Sequence, residues 1–480
     1  MTPKKNEIVT LEITDLGSGG EGIGRADGFT LFVKGAVVGD VIEAKVLKAK
    51  KTYGYAKIEK IIHPSEHRVE PACSVAGRCG GCQLQQMSYP AQLSWKARKV
   101  KECLERIGGV SFEEGKAQFL PILGMEEPFA YRNKAQFPVG RDKNGKIVTG
   151  FYAGHSHALI ASDSCAIQAP VNEVICKAVC DHMEQYHIAP YDEESHTGLV
   201  RHILTRVGAV TGEVLICLIV NGKALPKAEL LAERLKTVVE EFSESESDER
   251  IKLVLKDVCL NVNREKTNVI LGNEIIPVWG DTYITDYIGE VAYRISPLSF
   301  YQVNPKQTRV LYGKALEFAD LTGNEIVWDL YCGIGTISLF LAAKAKQVYG
   351  VEIVPQAIAD AKENALRNGI TNAEFFVGAA EDVLPAKYRE SGGSMRADVI
   401  VVDPPRKGCD EMLLQTVVNM EPERVVYVSC DPATLARDVK YLEGNVYKLV
   451  QAQTVDRFPM TTHCESVVLL SRSETTKREG

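Results

Sequence analysis

The final third of the chain alternates short apolar runs with amphipathic helical ones, and this alternation restricts the fold more than any other feature. From about residue 305 a helical KQTRVLYGKALEFADL is followed by NEIVWDLYCGIGT, TISLFLAAKA, QVYGVEI, PQAIADAKENALRNG, AEFFVGAA, ADVIVVDPP and RVVYVSC. Uniformly apolar strands separated by helices call for a parallel sheet covered on both faces, an α/β fold. Ligands of such sheets bind beyond the carboxyl ends of the strands, where the strand order switches. Chemistry in this region is therefore expected on that rim.

The first part of the chain has a different texture. Residues 7–62 alternate apolar and polar residues in short runs broken by Gly-rich turns, which predicts a small antiparallel barrel. Lys45, Lys48, Lys50, Lys51, Lys57 and Lys60 crowd its last strands with Tyr53 and Tyr55 between them. That pattern suits either a surface that tracks a nucleic-acid backbone and stacks bases or a lysine-protected edge strand. An irregular linker from His63 carries Cys73, Cys79 and Cys82. A helix is predicted from Tyr89 to Ile107, ended by Gly108-Gly109, and residues 118–280 read as strands around one or two helices. RHILTRVGAV and GEVLICLIVN are joined by a turn at Thr211-Gly212. The division is a barrel at 1–62, a β-rich central domain at 63–285 whose helix 89–108 leaves to pack on the following domain, and an α/β domain at 286–480.

Composition sets outer limits. Hydrophobic residues at 45% and charged residues at 25% exclude a mainly disordered, collagenous or coiled-coil chain. No apolar run reaches the ~18 residues of a membrane span, and MTPKKNEIVT lacks the apolar core of a secretory signal, so a cytoplasmic protein without a membrane partner is expected. The 13 cysteines then read as thiols, ligands or nucleophiles rather than a disulfide framework. A net charge of −7 argues only weakly against nucleic acid, because phosphate binding depends on local fields. Part of it comes from Glu240, Glu241, Glu244, Glu246, Asp248 and Glu249 in EEFSESESDER, expected to be a solvated loop.

The run Asp329-Leu-Tyr331-Cys-Gly333-Ile-Gly335-Thr336 lies between an apolar strand and a helix, and its glycines allow a tight turn with close backbone approach to a ligand. Glu352 ends the next strand and can accept hydrogen bonds from both ribose hydroxyls. Ser338 stands where a dinucleotide fingerprint has its third glycine, which disfavours NAD. The pattern resembles S-adenosylmethionine methyltransferases, with a Rossmann-like domain. Asp403-Pro404-Pro405-Arg406 ends another strand. It is similar to the D/N-PP-aromatic loop of amino-methyltransferases, but Arg406 replaces the aromatic.

Cys430 ends the strand VVYVS and precedes a helix with Asp431 as its N-cap and Pro432 at N1, a setting expected to lower a thiol's pKa. A methyltransferase needs such a sulfur when its target is C5 of uracil. Thiolate addition at C6 turns the ring into an enolate nucleophilic at C5, and a base must then remove the C5 hydrogen. Glu465, just before the strand VVLL, is the candidate base, with His463 as the alternative.

SCDP, HCES, DPPRKG and DLYCGIGT together resemble the RNA uracil-5-methyltransferase family, and Ser299–Pro305 is similar to that family's SFFQVN segment. The resemblance implies Cys430 as nucleophile, Glu465 as proton acceptor, and Gln302, Tyr331, Glu352 and Asp403 as contacts to S-adenosylmethionine. Spacing alone leaves Cys73, Cys79 and Cys82 open to an iron–sulfur cluster, zinc or free thiols. The resemblance supplies Cys165 as a fourth ligand and implies a [4Fe–4S] cluster. The barrel, with GEGIGR, is similar to the OB-like TRAM module. Barrel and cluster together imply 23S ribosomal RNA as substrate, acted on by a monomer with no obligate protein partner. The alternatives are a tRNA uridine-5 methyltransferase, an amino-methyltransferase acting through the Asp403 loop, and an RNA-binding chaperone with a vestigial catalytic domain.

Overall fold

A computed structural model describes residues 2–154, 156, 158–245 and 251–473. Strands β1 (Ile8–Leu16), β2 (Gly22–Ala26), β3 (Phe29–Lys34), β4 (Val41–Ala49) and β5 (Tyr53–His63) close into a barrel in the order β1-β2-β3-β5-β4. Ile13, Leu31, Ile42 and Val46 fill it. The barrel is not wholly antiparallel as expected, because β3 and β5 run parallel. A ring with an odd number of strands cannot alternate direction all the way round, so one junction must be parallel.

Helix α1 (Tyr89–Cys103) passes into a π-helical turn at Leu104–Gly108 and stops at Gly109 in the left-handed region. Val100 and Leu104 pack with Trp328 and Leu435 of the catalytic region. The next strand, β6 (Gln118–Leu123), pairs with a strand more than 300 residues later at the edge of the catalytic sheet. Residues 118–123 therefore do not belong with the central sheet to which the sequence reading gave them.

The central sheet is made of β7 (Lys134–Arg141), β8 (Ile147–Tyr152), β9 (Leu159–Ala161), β10 (Val200–Val207), β11 (Glu213–Val220), β12 (Val254–Val262) and β13 (Glu274–Gly280). Helices α2 (Asn172–Gln185) and α3 (Ala228–Ser245) cover one face through Ile175, Val179, Leu231 and Leu235. Leu204, Leu215, Cys217 and Ile219 on the other face join the catalytic core. Glu240, Glu241 and Glu244 are helical, not in a loop, because Leu235 and Val239 carry the apolar stripe of α3 this far. Glu246, Asp248 and Glu249 lie outside the described residues.

A ribbon of β14 (Ile284–Ile288) and β15 (Val291–Ile295) spans the expected boundary at 285/286, and α4 (Pro305–Ala319) follows. The catalytic region then alternates β16 (Ile326–Leu330), α5 (Thr336–Ala342), β17 (Gln347–Glu352), α6 (Pro355–Arg367), β18 (Ala373–Val377), α7 (Ala380–Glu390), β19 (Val399–Val402), α8 (Glu411–Met420), β20 (Arg424–Ser429) and α9 (Pro432–Glu443). It ends with β21 (Tyr447–Val455) and β22 (Glu465–Arg472). The sheet order is β18-β17-β16-β19-β20-β22-β21-β6, parallel from β18 to β20 with β22 antiparallel to β20. The chain moves outward from β16 to β18, then returns to β19 on the other side, so the switch point lies between β16 and β19. Among the described residues no helix is long and apolar enough to cross a membrane.

Candidate active site

Tyr331, Glu352, Asp403 and Cys430 sit at the carboxyl ends of β16, β17, β19 and β20, on one rim. Glu465 opens β22, which runs the other way, so its first residue lies on the same rim. Ser429 pairs with Ser466, and continuing that antiparallel register by one step sets Cys430 opposite Glu465.

The turn after β16 is tightly built. Tyr331 has a φ of +85°, Gly333 +55° and Gly335 +82°, while Tyr331 and Cys332 both donate their N–H to the Val351 carbonyl at 3.0 Å. A Cβ on Gly335 would meet Phe375 at 3.1 Å and Ala361 at 3.2 Å, so this glycine is needed for space as well as backbone angle. A bulky residue in the left-handed region is costly and is held here by its surroundings. Asp329 lies below the turn, fully buried. Its Oδ2 accepts from Ser338 Oγ at 2.5 Å and its Oδ1 has no partner. Burial pushes its carboxyl up to about 7.

Gln302 is buried beside this turn. It donates to the Tyr312 hydroxyl at 3.3 Å, and Tyr312 donates to Thr336 Oγ1 at the start of α5 at 3.1 Å. Its carbonyl accepts from Asn133 at 3.0 Å, which ties it to the central region. Glu352 accepts from the Val354 N–H at 3.0 Å. These residues, with the orphaned Asp329 oxygen and the glycines of the turn, suit a ligand that brings its own hydrogen-bond donors.

Asp431 caps α9 as expected, accepting from Ala433 and Thr434 at 3.0 Å. The Cys430 thiol, however, is not lowered. Burial first, then Glu465 and Asp403, push it up to about 11 against a lowering by Arg406. Burial of the sulfur, together with the two carboxylates that the sheet brings beside it, outweighs the helix terminus. Glu465 is itself pushed up to about 7, chiefly by burial, with Arg457 opposing. Burial also raises Asp403, and Arg457 again opposes.

Sequence reasoning names Asp329 only as the start of the cofactor motif and overlooks Arg457. Arg457 Nη2 stands 3.0 Å from Glu465 Oε1, and both side chains are buried. The available signal was a charged pair, Asp456-Arg457, closing the apolar strand β21. His463 is exposed, and its imidazole is lowered by desolvation and by Arg406, Lys99 and Lys96.

The loop 456–463 leading to Glu465 is fixed from many sides. Lys96 donates to Asp456 at 2.6 Å in a fully buried ion pair and to the Phe458 carbonyl at 3.0 Å. Gln92 accepts from the Met460 N–H at 3.0 Å, Tyr131 donates to the Pro459 carbonyl at 3.1 Å, and Asn304 donates to the Arg457 carbonyl at 2.9 Å. Gln83 and Leu84, next to Cys82, both donate their N–H to the Met460 carbonyl at 3.0 Å.

Cys73, Cys79, Cys82 and Cys165 are partly exposed free thiols that converge. Cys82 is pushed up to about 12 by burial, then by Cys165, Cys79 and Cys73. Cys165 feels Cys73 and Cys79 in turn. Among the described residues no three His, Cys, Asp or Glu side chains are grouped to hold one metal ion. A cavity of about 180 Å³ borders Cys73, Cys165 and Cys176, and the buried Gln168 Oε1 and Asn172 Oδ1, both unpartnered, belong to its lining residues.

Two family models match the chain, tRNA (Uracil-5-)-methyltransferase over residues 236–473 and TRAM domain over residues 4–58. An uncharacterized RNA methyltransferase of Halalkalibacterium halodurans is 49% identical, covering 97% of both chains. One of Clostridium tetani is 48% identical over 98% of this chain and 97% of its own. The crystal structure of Pyrococcus abyssi tRNA (uracil-54, C5)-methyltransferase in complex with S-adenosyl-L-homocysteine superposes with a TM-score of 0.72 at 26% identity, covering 96% of this chain and 99% of that one. With its strand rim, its N-terminal barrel and relatives of this closeness, the chain belongs to the RNA uracil-5-methyltransferase family, enzymes that take their methyl group from S-adenosylmethionine.

Proposed function

We propose that the enzyme methylates C5 of a uridine in 23S ribosomal RNA through a covalent bond between Cys430 and C6 of the base. The observation that carries the reading is the strand register that sets Cys430 opposite Glu465, with Asp403 and Arg457 beside them. Gln302, Tyr331, Glu352 and Asp403 would hold S-adenosylmethionine, with Asp329 beneath the same turn. Bound there, it supplies an electrophilic methyl group on a sulfonium.

In the free protein Cys430 is a thiol, since its ionisation lies near 11. As Sγ bonds to C6, the thiol proton passes to the carbonyl oxygen at C4, and the resulting enol carries the electron density at C5. Once C5 holds the methyl group, the C4 oxygen releases its proton to solvent as the carbonyl re-forms. Glu465, ionised above a pH of about 7, then takes the C5 hydrogen, and the C6–S bond breaks. Proton return from Glu465 to the sulfur restores both groups. The target uridine must leave its stack to reach the partly exposed Cys430 and the buried Glu465, so the substrate is a loop or opened segment.

The lysines and the tyrosine pair on the barrel suit RNA contact. Lys50 lies 4.9 Å from the Tyr53 ring centre, and Tyr53 and Tyr55 pack edge to face. Cys73, Cys79, Cys82 and Cys165 would hold a [4Fe–4S] cluster, which would supply a structural cross-link there. Four thiols that act on one another, two of them (Cys73 and Cys165) lining the cavity, suit that group better than zinc, because a cluster spreads its thiolates over four metal atoms. Iron and sulfide content and the visible absorption of anaerobically purified protein test it.

The second reading is a tRNA substrate, favoured by the Pyrococcus abyssi neighbour, which acts on tRNA. Transfer of labelled methyl groups to 23S rRNA and to tRNA in parallel, followed by mapping of 5-methyluridine, decides between them. Label in rRNA alone is expected; label in tRNA alone would overturn the ribosomal assignment.

A further inference from the structure

We propose that Arg457 is a positioning residue for proton abstraction, its guanidinium keeping the Glu465 carboxylate ionised and aimed along the rim. The inference rests on Glu465 being the base.

Acidic groups crowd the site. Glu465 is buried, Asp403 acts on it from the end of β19, and Cys430 senses both from the end of β20. Cys464, buried next to Glu465, senses it too, as well as Asp456 and the cations Lys96 and Lys99. Two cations act on Glu465, Arg457 and Arg406. Arg406 belongs to the exposed turn after Asp403, where water screens it. Arg457 is buried and 3.0 Å from Glu465 Oε1.

Arg457 is also held still. Its carbonyl accepts from Asn304, the N-cap of α4, at 2.9 Å, and its N–H donates to the Val455 carbonyl at 3.1 Å. Its guanidinium lies 4.8 Å from the Phe458 ring centre. Its Nε has no partner, so the ion pair with Glu465 is the strongest bond that fixes the fork. A buried cation left beside a carboxylate favours the charged form by about 1–3 pH units. That preference works against the burial that raises Glu465 to about 7.

The test is the pH profile for release of free 5-methyluridine RNA from the covalent species in a single turnover of the full-length enzyme. With Arg457→Gln, the midpoint of the acid limb is expected to rise by about one unit or more, because the carboxylate must ionise without its partner. As a fraction of each enzyme's own plateau, turnover at pH 6.5 should then be about tenfold lower than in the parent. Covalent protein–RNA species should build up at the low pH and drain as pH is raised. Arg457→Lys should return the midpoint part of the way. A uniform loss at every pH, with no shift, would overturn the proposal. Should Arg457→Gln not fold, Arg457→Lys decides, since a midpoint unmoved by loss of the fork would also overturn it. Glu465→Gln run alongside separates the two readings: failure to trap any adduct removes the base itself, whereas trapping with an unshifted Arg457→Gln profile removes only this inference.

Discussion

The rim of the eight-stranded sheet and the four-cysteine turn both collect side chains from distant parts of the chain, and they do so by different means. On the rim each residue is delivered by the end of its own strand, so hydrogen-bonded register sets Tyr331, Glu352, Asp403, Cys430 and Glu465 relative to one another. At the cysteine turn, short loops deliver Cys73, Cys79, Cys82 and Cys165, held by contacts such as Cys73 N–H to Gln85 at 3.1 Å and Gly81 N–H to Cys79 Sγ at 3.3 Å. A sheet holds its groups in place through its own ladder, whereas a set of loops has no such ladder, and the proposed cluster would supply a cross-link there. The two regions meet at Met460, whose carbonyl takes the N–H groups of Gln83 and Leu84 and whose loop leads to Glu465.

The largest expected effect lies on the rim. Cys430→Ala should lower methylation by on the order of 10⁴-fold or more, as loss of a nucleophile does, and retain S-adenosylmethionine binding, measured by calorimetry. Activity within about tenfold of the parent would break the assignment of the rim as a covalent site. Next is the joint between the regions. Lys96→Met leaves the Asp456 carboxylate buried without its cation, and a stability loss of about 3–5 kcal/mol is expected in urea unfolding. An unchanged midpoint would mean that the loop before Glu465 is not held by α1.

A smaller effect is expected at the turn. Cys82→Ser should lose iron and loosen amide-exchange protection at residues 456–463 while leaving 326–330 protected. Equal protection throughout would mean that the turn and the rim are independent. The smallest effect concerns the barrel. Tyr55→Ala should weaken RNA binding by about 1–3 kcal/mol, and Lys50→Ala should reduce the salt dependence of binding by about one phosphate contact.

Much of the rim was legible because its signals are local. SCDP, DLYCGIGT and DPPRKG each combine a strand end with a turn, and the alternation of strands and helices says which end is the working one. Several features were not local. The six residues QFLPIL do not reveal that β6 pairs with β21, because that choice depends on an edge left open by a distant strand. The sign of the Cys430 shift is not local either, since the sulfur is partly buried, and Asp403 and Glu465 approach it, only after β19, β20 and β22 have paired. Arg457 could be seen as a charge after a strand, but its partner could not, because burial and register together select Glu465.

The central claim is that a sulfur of this chain bonds to the base and that the acid across the strand pair releases it. The most direct measurement is mass spectrometry of Glu465→Gln after incubation with S-adenosylmethionine and the RNA substrate under denaturing conditions. The claim predicts a Cys430-containing peptide carrying a nucleotide whose mass includes the transferred methyl group. Methylated RNA released at the parent rate, with no nucleotide attached to Cys430, would contradict it.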